Sequence, residues 1–393
     1  MPTKTHWKSI LIVTAVLVLA GSGLLLWWNV FDDPALAGQL RQLGGSLPEE
    51  LDGFEKAEGV IPLPFPETFG PHLGYLTEWW YYTGNLETQE GRHFGYQLTF
   101  FRQALQPPGV IPEGGSDWRS EQLYFAHFTL TDVAAEQFTF RERFSRAGAG
   151  LAGAQAQPYR VWLEDWQVRQ IGDRQYQLSA RMENLAISLT LEDEKGPVLQ
   201  GREGYSQKGP DPGNASYYYS QPRLKSSGTV QLGEEIYEVS GWSWKDHEFS
   251  TSGLSDNQVG WDWFSLQLDD GTDLMLYTFR NADGSIGAYS SGVIISPEGI
   301  LLPLSREDFS ITALDRWVSP ESGAEYPAKW RIEIPGAGID LTVTPYISDQ
   351  ELLVTVIYWE GAVQVTGSYG GKAVQGNGYV ELTGYARSMQ SWL

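Results

Sequence analysis

The chain has 393 residues, of which 41% are hydrophobic, and this is enough for sizeable cores in about two or three domains. Aromatic residues make up 13%, cysteine is absent and the formal net charge is −22. This composition excludes disulfides, thiolate nucleophiles and cysteine-ligated zinc or iron–sulfur sites. It also argues against nucleic acid as a partner, because nucleic acids are bound by basic surfaces.

The first residues predict that the chain is exported. Lys4 and Lys8 precede an uncharged apolar run, residues 10–28, whose length as a helix matches the hydrocarbon thickness of a bilayer. The lysines should stay in the cytoplasm, which leaves the rest of the chain extracytoplasmic, periplasmic or secreted, with the membrane as a partner of this segment. Residues 1–37 are therefore a signal anchor, or a signal peptide if the A-x-A sequence at Ala35–Ala37 is cleaved.

Beyond these residues the sequence predicts a linker and then a β-rich region. Residues 38–74 combine a short helix-compatible stretch, Leu40 to Phe54, with a proline-rich stretch. From residue 75 onward short segments alternate between apolar and polar positions, as in residues 92–102. Gly-containing turns such as Asp269–Gly271 separate them. Many short strands joined by tight turns predict an antiparallel, all-β fold of the barrel or sandwich type.

A weak internal repeat predicts two similar β-domains in tandem. Trp79–Tyr82 leads through a turn to a strand that ends in Thr-Phe-Phe-Arg, and Trp261–Phe264 leads through a turn to Thr278-Phe279-Arg280. The alternating pattern is interrupted at Thr251–Gln258. We therefore expect a first barrel over residues 75–250 and a second barrel over residues 251–393.

The densest polar cluster among the aromatic residues is Trp242–Glu248. If the strand persists, Trp244, Asp246 and Glu248 share one face while His247 points to the other. A carboxyl group in an aromatic pocket has a raised pKa and can act as an acid, and His247 could shuttle a proton. The alternative is that the two acids only form turn or cap hydrogen bonds where the strand ends.

Two further positions combine polar groups with aromatic neighbours. Glu78 shares its face with Trp80 and Tyr82, so the same two interpretations apply to it. His127 lies between Phe125 and Thr129 and could equally be a core histidine whose hydrogen bonds are satisfied. The five histidines form no H-x-H or H-x-x-x-H pair, and no nucleotide-binding glycine motif precedes a helix. The sequence therefore predicts neither a metal site nor a cofactor.

Several sequence blocks resemble those of the AttH/carotenoid 1,2-hydratase family. They occur in consistent order from about residue 75 to residue 385: Glu78–Leu86, Tyr217–Ser220, Gly241–Glu248, Gly260–Phe264, Tyr358–Ala362 and Glu381–Tyr385. The resemblance implies two lipocalin-like barrels of the calycin type and action on a lipid, isoprenoid or carotenoid-like molecule. It also implies export and an association with the permease of an ABC-type transport system.

Two features separate this chain from the carotenoid hydratases. The stretch that resembles Asp-His-Asn-Trp in that branch is Asp246–Phe249 here, with Glu248 in place of the asparagine. The branch also has an acid two residues after a tyrosine that matches Tyr277, and this chain has Phe279 at that position. The missing carboxylate weakens the assignment as a carotenoid hydratase.

Two classes of function follow, and the sequence favours the first. The chain is a carrier of a lipophilic small molecule, or it is an enzyme, either a hydratase-like lyase or a hydrolase. We expect the pocket where the Glu78–Tyr82 strand meets the Trp244–Glu248 stretch. The predicted ligand-binding residues are Glu78, Trp80, Tyr82, His127, Tyr218, Trp244, Trp261 and Trp263. The predicted catalytic residues are Asp246, His247, Glu248 and Tyr277.

Overall fold

The structure is a computed structural model, and it describes residues 51–110 and 121–391. All of these described residues belong to one compact unit. The apolar segment 10–28 and nearly all of the helix-compatible stretch lie outside the described residues, so the expectations for residues 1–37 stay predictions. In the part of the chain that is described, no helix is long and apolar enough to cross a membrane.

The first half of the described chain forms one antiparallel sheet of 13 strands. The sheet curls until β4, at one edge, approaches β6 near the other edge, and its interior is filled by a large apolar core. Its strands are β1 (Thr77–Glu87), β2 (His93–Ala104), β3 (Gln122–Asp132), β4 (Gln137–Arg146), β5 (Ala152–Gln155), β6 (Arg160–Leu163), β7 (Trp166–Gly172), β8 (Gln175–Met182), β9 (Leu185–Asp193), β10 (Val198–Leu199), β11 (Tyr205–Gln207), β12 (Ala215–Leu232) and β13 (Glu235–Ser250).

The second half forms a separate antiparallel sheet of ten strands, with β17 and β18 at its two edges. Its strands are β14 (Gln258–Leu268), β15 (Asp273–Asn281), β16 (Ser291–Ile295), β17 (Leu301–Leu304), β18 (Ser310–Val318), β19 (Glu325–Ile334), β20 (Ile339–Pro345), β21 (Glu351–Leu353), β22 (Ile357–Tyr369) and β23 (Lys372–Leu382). Within residues 51–110 and 121–391, four single-turn 3₁₀ helices lie between or beside the strands: Glu67–Phe69, Gly148–Gly150, Pro335–Ala337 and Met389–Ser391.

The all-β, lipocalin-like class predicted from the sequence is confirmed. The two curled antiparallel sheets form one nearly closed barrel and one half-barrel. Most neighbouring strands are consecutive in the chain, as short strands and tight turns predict, but β1 pairs with β13 and β14 pairs with β23.

Strands β1, β2 and β3 are buried on both faces. In β2, Phe94, Tyr96 and Leu98 point into the core of the first sheet, and the alternate residues Gln97 and Thr99 are also fully buried. The alternate face is buried because the second sheet covers it. Polar side chains on this face therefore lie between the two sheets and not in solvent.

The two sheets approach each other closely and share buried ion pairs. A Cβ atom placed on Gly95 would lie 2.4 Å from the Cβ of Ala362, so glycine is required for this approach. Arg223 of β12 donates to Asp273 of β15 at 2.6 Å, and Lys195 lies 2.7 Å from the other carboxylate oxygen. These contacts fix the position of one sheet on the other.

Candidate active site between the two sheets

A cavity of about 190 Å³ lies between the two sheets, and we call it the inter-sheet cavity. Strands β1–β3, β12 and β13 line it on one side, and β14, β15, β22 and β23 line it on the other. Much of the wall is aromatic, and a few carboxyl, hydroxyl and ammonium groups project into it. This combination is typical of pockets that bind small lipophilic molecules. Its aromatic residues include Trp79, Phe101, Phe125, Trp261, Trp263 and Phe279.

Asp246 is the central polar group of this cavity. Its Oδ1 accepts hydrogen bonds from the Ser220 hydroxyl at 2.5 Å and from the Trp244 indole at 2.7 Å, and its Oδ2 accepts one from the Tyr218 hydroxyl at 2.7 Å. Burial raises the pKa of Asp246 to about 7, although these three donors favour the ionised form. The carboxyl group can therefore hold or release a proton near neutral pH.

Tyr218 links Asp246 to the second sheet. Its hydroxyl oxygen accepts a hydrogen bond from the Trp263 indole at 3.1 Å while its proton is donated to Asp246. Burial and the neighbouring Asp246 raise the pKa of Tyr218 well above its ordinary value, so the hydroxyl keeps its proton. Tyr218 can thus pass a proton between Asp246 and a bound molecule without becoming a phenolate.

An ion pair borders the same cavity. The ammonium of Lys208 lies 2.6 Å from Glu248 and 5.0 Å from the ring centre of Tyr277. Burial opposes the charge on Lys208, but the charge of Glu248 raises its pKa, so the lysine is held as a cation. Contact with an aromatic ring further stabilises the buried cation.

A second pair of acids lies in the opposite wall. Glu360 of β22 and Glu381 of β23 face each other in register and share a hydrogen bond. The Tyr81 hydroxyl donates to Glu360 at 2.9 Å, and the indole of Trp261 donates to Glu381. Burial, and then the charge of Glu381, raise the pKa of Glu360 well above its ordinary value, so the pair holds a proton.

His127 lies on the cavity wall and connects the two sheets. Its Nδ1 is hydrogen bonded to the Tyr358 hydroxyl at 2.6 Å, and its Nε2 is 2.9 Å from Glu142. Glu142 in turn accepts a hydrogen bond from the Thr355 hydroxyl at 2.6 Å. His127 thus has a partner at each ring nitrogen, as the alternative of a satisfied core histidine requires, and it also borders the cavity.

Glu78 belongs to a different environment, on the face of β1 that points into the first sheet. Its carboxylate accepts hydrogen bonds from Arg102 at 2.8 Å, from the ring and backbone nitrogens of His72, and from His247 at 2.8 Å. Burial alone would raise the pKa of Glu78, but Arg102 and the two histidines hold it well below its usual range. Glu78 is therefore a carboxylate at all physiological pH values.

The same three side chains, His72, Glu78 and His247, bring possible metal-ligand atoms within 4.8 Å of one another. Donors already occupy both oxygens of Glu78, and the guanidinium of Arg102 lies beside it. Because a metal ion would have to displace these donors next to a positive charge, the cluster is better explained as a hydrogen-bonded carboxylate.

The interior of the first sheet also holds a buried lysine next to His247. Lys245 donates to Gln221 at 2.9 Å and to Tyr219 at 3.1 Å. Burial lowers the pKa of Lys245 to about 7 and that of His247 to about 3, so His247 is neutral in the folded protein. Both side chains point away from Asp246, as the alternation of β13 requires.

The predicted site residues thus divide between the two faces of the first sheet. Asp246, Glu248, Tyr277, His127, Tyr218, Trp244, Trp261 and Trp263 lie at or directly behind the inter-sheet cavity. His247, Trp80 and Tyr82 lie in the interior of the first sheet, and the Glu78 carboxylate is held on that side, although Glu78 also borders the cavity.

Sequence reasoning missed Lys208, Ser220, Glu360 and Glu381. Glu360 and Glu381 occur in sequence blocks that carry the family resemblance, so they could have been nominated as acids. Lys208 comes from a loop, and no periodic pattern placed it near Glu248.

Comparisons with known proteins bear on the family and the fold. The model of the AttH-like family matches residues 56–385. A crystal structure of an AttH from Nitrosomonas europaea is 34% identical, covers 84% of this chain and 100% of that chain, and has a TM-score of 0.75. No curated protein sequence matches the chain.

Two more distant structures share the fold. Kievitone hydratase from Nectria haematococca is 16% identical, covers 87% of this chain and 99% of its own, and has a TM-score of 0.63. A structure of CghA with Sch210972 is 10% identical, covers 87% and 97%, and has a TM-score of 0.50. At these identities the likeness concerns the architecture.

Proposed function

Because this chain belongs to the AttH-like family, we propose that it binds a lipophilic, unsaturated small molecule of the isoprenoid or carotenoid type in the inter-sheet cavity. The observation that carries the proposal is a buried aromatic cavity with Asp246 and Tyr218 on its wall. Aromatic side chains provide the apolar contact, and a few polar groups orient the ligand. Two proteins that share the fold are a kievitone hydratase and CghA, whose structure was solved with Sch210972, and this supports binding of a ligand here.

Farnesol, an unsaturated isoprenoid alcohol, is a suitable probe of this proposal. We expect farnesol to quench tryptophan fluorescence, because Trp79, Trp261 and Trp263 border the cavity. Phe101→Asp places a charge in the cavity wall and should weaken binding at least tenfold, because an unpaired buried carboxylate opposes an apolar ligand. Phe138→Asp is the matched control, since Phe138 is a half-buried phenylalanine on β4 that does not line the cavity.

Equal affinity in the Phe101 and Phe138 variants would contradict binding in the inter-sheet cavity. Absence of a fluorescence change with farnesol, with unfolding curves that show both variants to be folded, would contradict the ligand class.

A second candidate function, hydration of a carbon–carbon double bond, is favoured by the state of Asp246. A buried carboxyl group with a pKa of about 7 can donate a proton at neutral pH. The proton would add to one alkene carbon and leave a carbocation at the other, and the surrounding aromatic rings would stabilise this cation. Water would then add to the cation, and its proton would return to the Asp246 carboxylate, so that the net change is the addition of one water molecule.

We further propose that the protein acts on the non-cytoplasmic side of a membrane, attached to it through residues 10–28. The position of Lys4 and Lys8 before an uncharged span supports this location. A carrier at this position could deliver its ligand to the permease of an ABC-type transport system. The family resemblance supports that partner.

A further inference from the structure

The second sheet contains a cavity of its own, of about 250 Å³, and we call it the half-barrel cavity. Alternation along β14 and β15 separates it from the inter-sheet cavity. Trp261 and Trp263 border the inter-sheet cavity, whereas Asp262 between them borders the half-barrel cavity. In the same way Phe279 and Arg280 lie on opposite sides of β15. The two cavities are thus independent binding volumes.

Three arginines and a single carboxylate line the half-barrel cavity: Arg280, Arg306, Arg316 and Asp262. Asp262 accepts hydrogen bonds from Arg280 at 2.9 Å and from the Tyr385 hydroxyl at 3.0 Å, so its charge is already matched. Arg306 donates to the backbone oxygen of Phe309 at 3.2 Å. The cavity therefore carries an excess of positive charge in a chain whose formal net charge is −22.

Among the described residues, Arg316 forms one weak ion pair. Its guanidinium is 3.7 Å from Glu325, and both side chains are more than half exposed. Exposed pairs of this kind contribute little, typically 0–1 kcal/mol. Arg316 and Arg306 can thus bind a negatively charged ligand without breaking a buried ion pair.

Trp330 forms part of the wall of the same cavity. The residue is 1% exposed, and its indole Nε1 has no hydrogen-bond partner within the described part of the chain. Because this nitrogen is inaccessible, Trp330 contributes an aromatic surface to the cavity and no hydrogen-bond donor for a ligand.

The remaining wall of the half-barrel cavity is apolar, with Ile286, Phe309, Ile311 and Pro327. We propose that the half-barrel cavity binds an amphiphilic organic anion with a single carboxylate and an aliphatic chain. Arg306 and Arg316 bind the carboxylate, because guanidinium groups match its planar geometry. The apolar residues contact the aliphatic chain. The ligand enters where the sheet is open, between its edge strands β17 and β18.

Three probes separate the contributions of the negative charge and the aliphatic chain of the ligand: decanoate, decan-1-ol and inorganic phosphate. Isothermal titration calorimetry on the full-length protein measures the affinity for each probe. Decanoate should bind at least tenfold more tightly than decan-1-ol or phosphate. Arg306→Gln/Arg316→Gln should weaken decanoate binding at least tenfold. The matched control is Arg141→Gln/Arg331→Gln, which removes the same charge from exposed positions outside the cavity and should leave binding unchanged.

Lys208→Gln serves as a second control, because Lys208 is a cation that lines the inter-sheet cavity. The proposal predicts that this change leaves decanoate binding unaltered. Loss of binding in Lys208→Gln but not in Arg306→Gln/Arg316→Gln would place decanoate in the inter-sheet cavity and overturn the proposal. Three other results would also overturn the proposal: decan-1-ol binds as tightly as decanoate, phosphate binds as tightly as decanoate, or decanoate does not bind.

Discussion

Asp246 combines full burial with three hydrogen-bond donors, and the balance between them sets its chemistry. Burial penalises the charged form, whereas Ser220, Tyr218 and Trp244 stabilise it, and the result is a pKa of about 7. Glu78 shows the opposite balance, since Arg102 holds it as a carboxylate. Two buried acids on neighbouring strands are thus suited to different roles, proton transfer for Asp246 and structural support for Glu78.

Replacement of Asp246 tests whether it acts as an acid. With farnesol as the substrate in H₂¹⁸O, mass spectrometry should detect incorporation of labelled water by the wild-type protein and none by Asp246→Asn, with farnesol affinity unchanged within a few-fold. Because the protonated carboxyl group is the active form, the wild-type rate should fall as pH rises through about 7. Persistent hydration by Asp246→Asn would exclude Asp246 as the acid.

The same raised pKa makes a prediction about stability that needs no substrate. The pKa of Asp246 in the folded protein exceeds its ordinary value of 3.8, so folding favours the protonated group. Its contribution to the free energy of unfolding is complete below pH 3.8 and is lost as pH rises through about 7. Urea unfolding between pH 5 and pH 8 should show a steeper decline with pH for the wild type than for Asp246→Asn, and equal slopes would contradict the raised pKa.

For individual residues, the alternation along a strand predicted which side chains share a face. It could not predict which strands pair with each other, or in what register. The period of two placed Asp246 and His247 on opposite faces of β13. The alternation could not show that the hydrogen-bond donors to Glu78 lie mainly on the face that carries His247. That arrangement depends on the register of β1 with β13 and on Arg102 from β2. The pairing of Glu360 with Glu381 likewise depends on the register of β22 with β23.

At the scale of elements, burial of both faces of β1–β3 is what creates the site. A strand that is apolar on one face and polar on the other usually has its polar face in solvent. Here the polar face carries Thr99 and His127 and is covered by the second sheet. The alternating sequence predicted strands well, but it could not distinguish a solvated face from a covered one.

Gly95 provides a test of this close approach of the sheets. A Cβ at this position would lie 2.4 Å from the Cβ of Ala362, and both Cβ atoms are bonded directly to strand backbones that cannot easily move apart. Gly95→Ala should lower the free energy of unfolding by about 1–3 kcal/mol, the usual cost of overpacking. Urea unfolding would measure this effect, and Gly336→Ala is the control because nothing lies within 4 Å of its added Cβ.

Combining Gly95→Ala with Ala362→Gly should recover part of the lost stability, because the second change removes the opposing methyl group. No recovery in the double variant, or a neutral effect of Gly95→Ala alone, would contradict direct packing of the two sheets at this point.

At the scale of the whole molecule, the two sheets form one compact unit, and neither sheet alone surrounds the inter-sheet cavity. Hydrogen bonds between Tyr81 and Glu360 and between His127 and Tyr358 cross the boundary. The sequence suggested two tandem barrels from a repeated hairpin pattern. It contained no signal for the shared cavity wall, since contacts between distant segments leave no local pattern.

The location of this unit is a separate prediction at the same scale. Because Lys4 and Lys8 precede an uncharged span, everything after residue 32 should lie on the non-cytoplasmic side. A reporter that is active only in the cytoplasm should therefore be inactive when it is fused after Leu393. The matched control carries the two lysines on the other side of the span, which should reverse the orientation and make the reporter active. Strong reporter activity of the original fusion would contradict the proposed topology.

A crystal structure of the protein with farnesol tests the central proposal most directly. We predict that farnesol occupies the inter-sheet cavity, with a double bond within about 3.5 Å of the Asp246 carboxyl group or the Tyr218 hydroxyl, as a reactive arrangement requires. Crystals of the Phe101→Asp variant, prepared with farnesol in the same way, should contain no ligand at that position. Farnesol bound only outside the inter-sheet cavity, or an empty cavity at concentrations that saturate binding in solution, would contradict the proposed function.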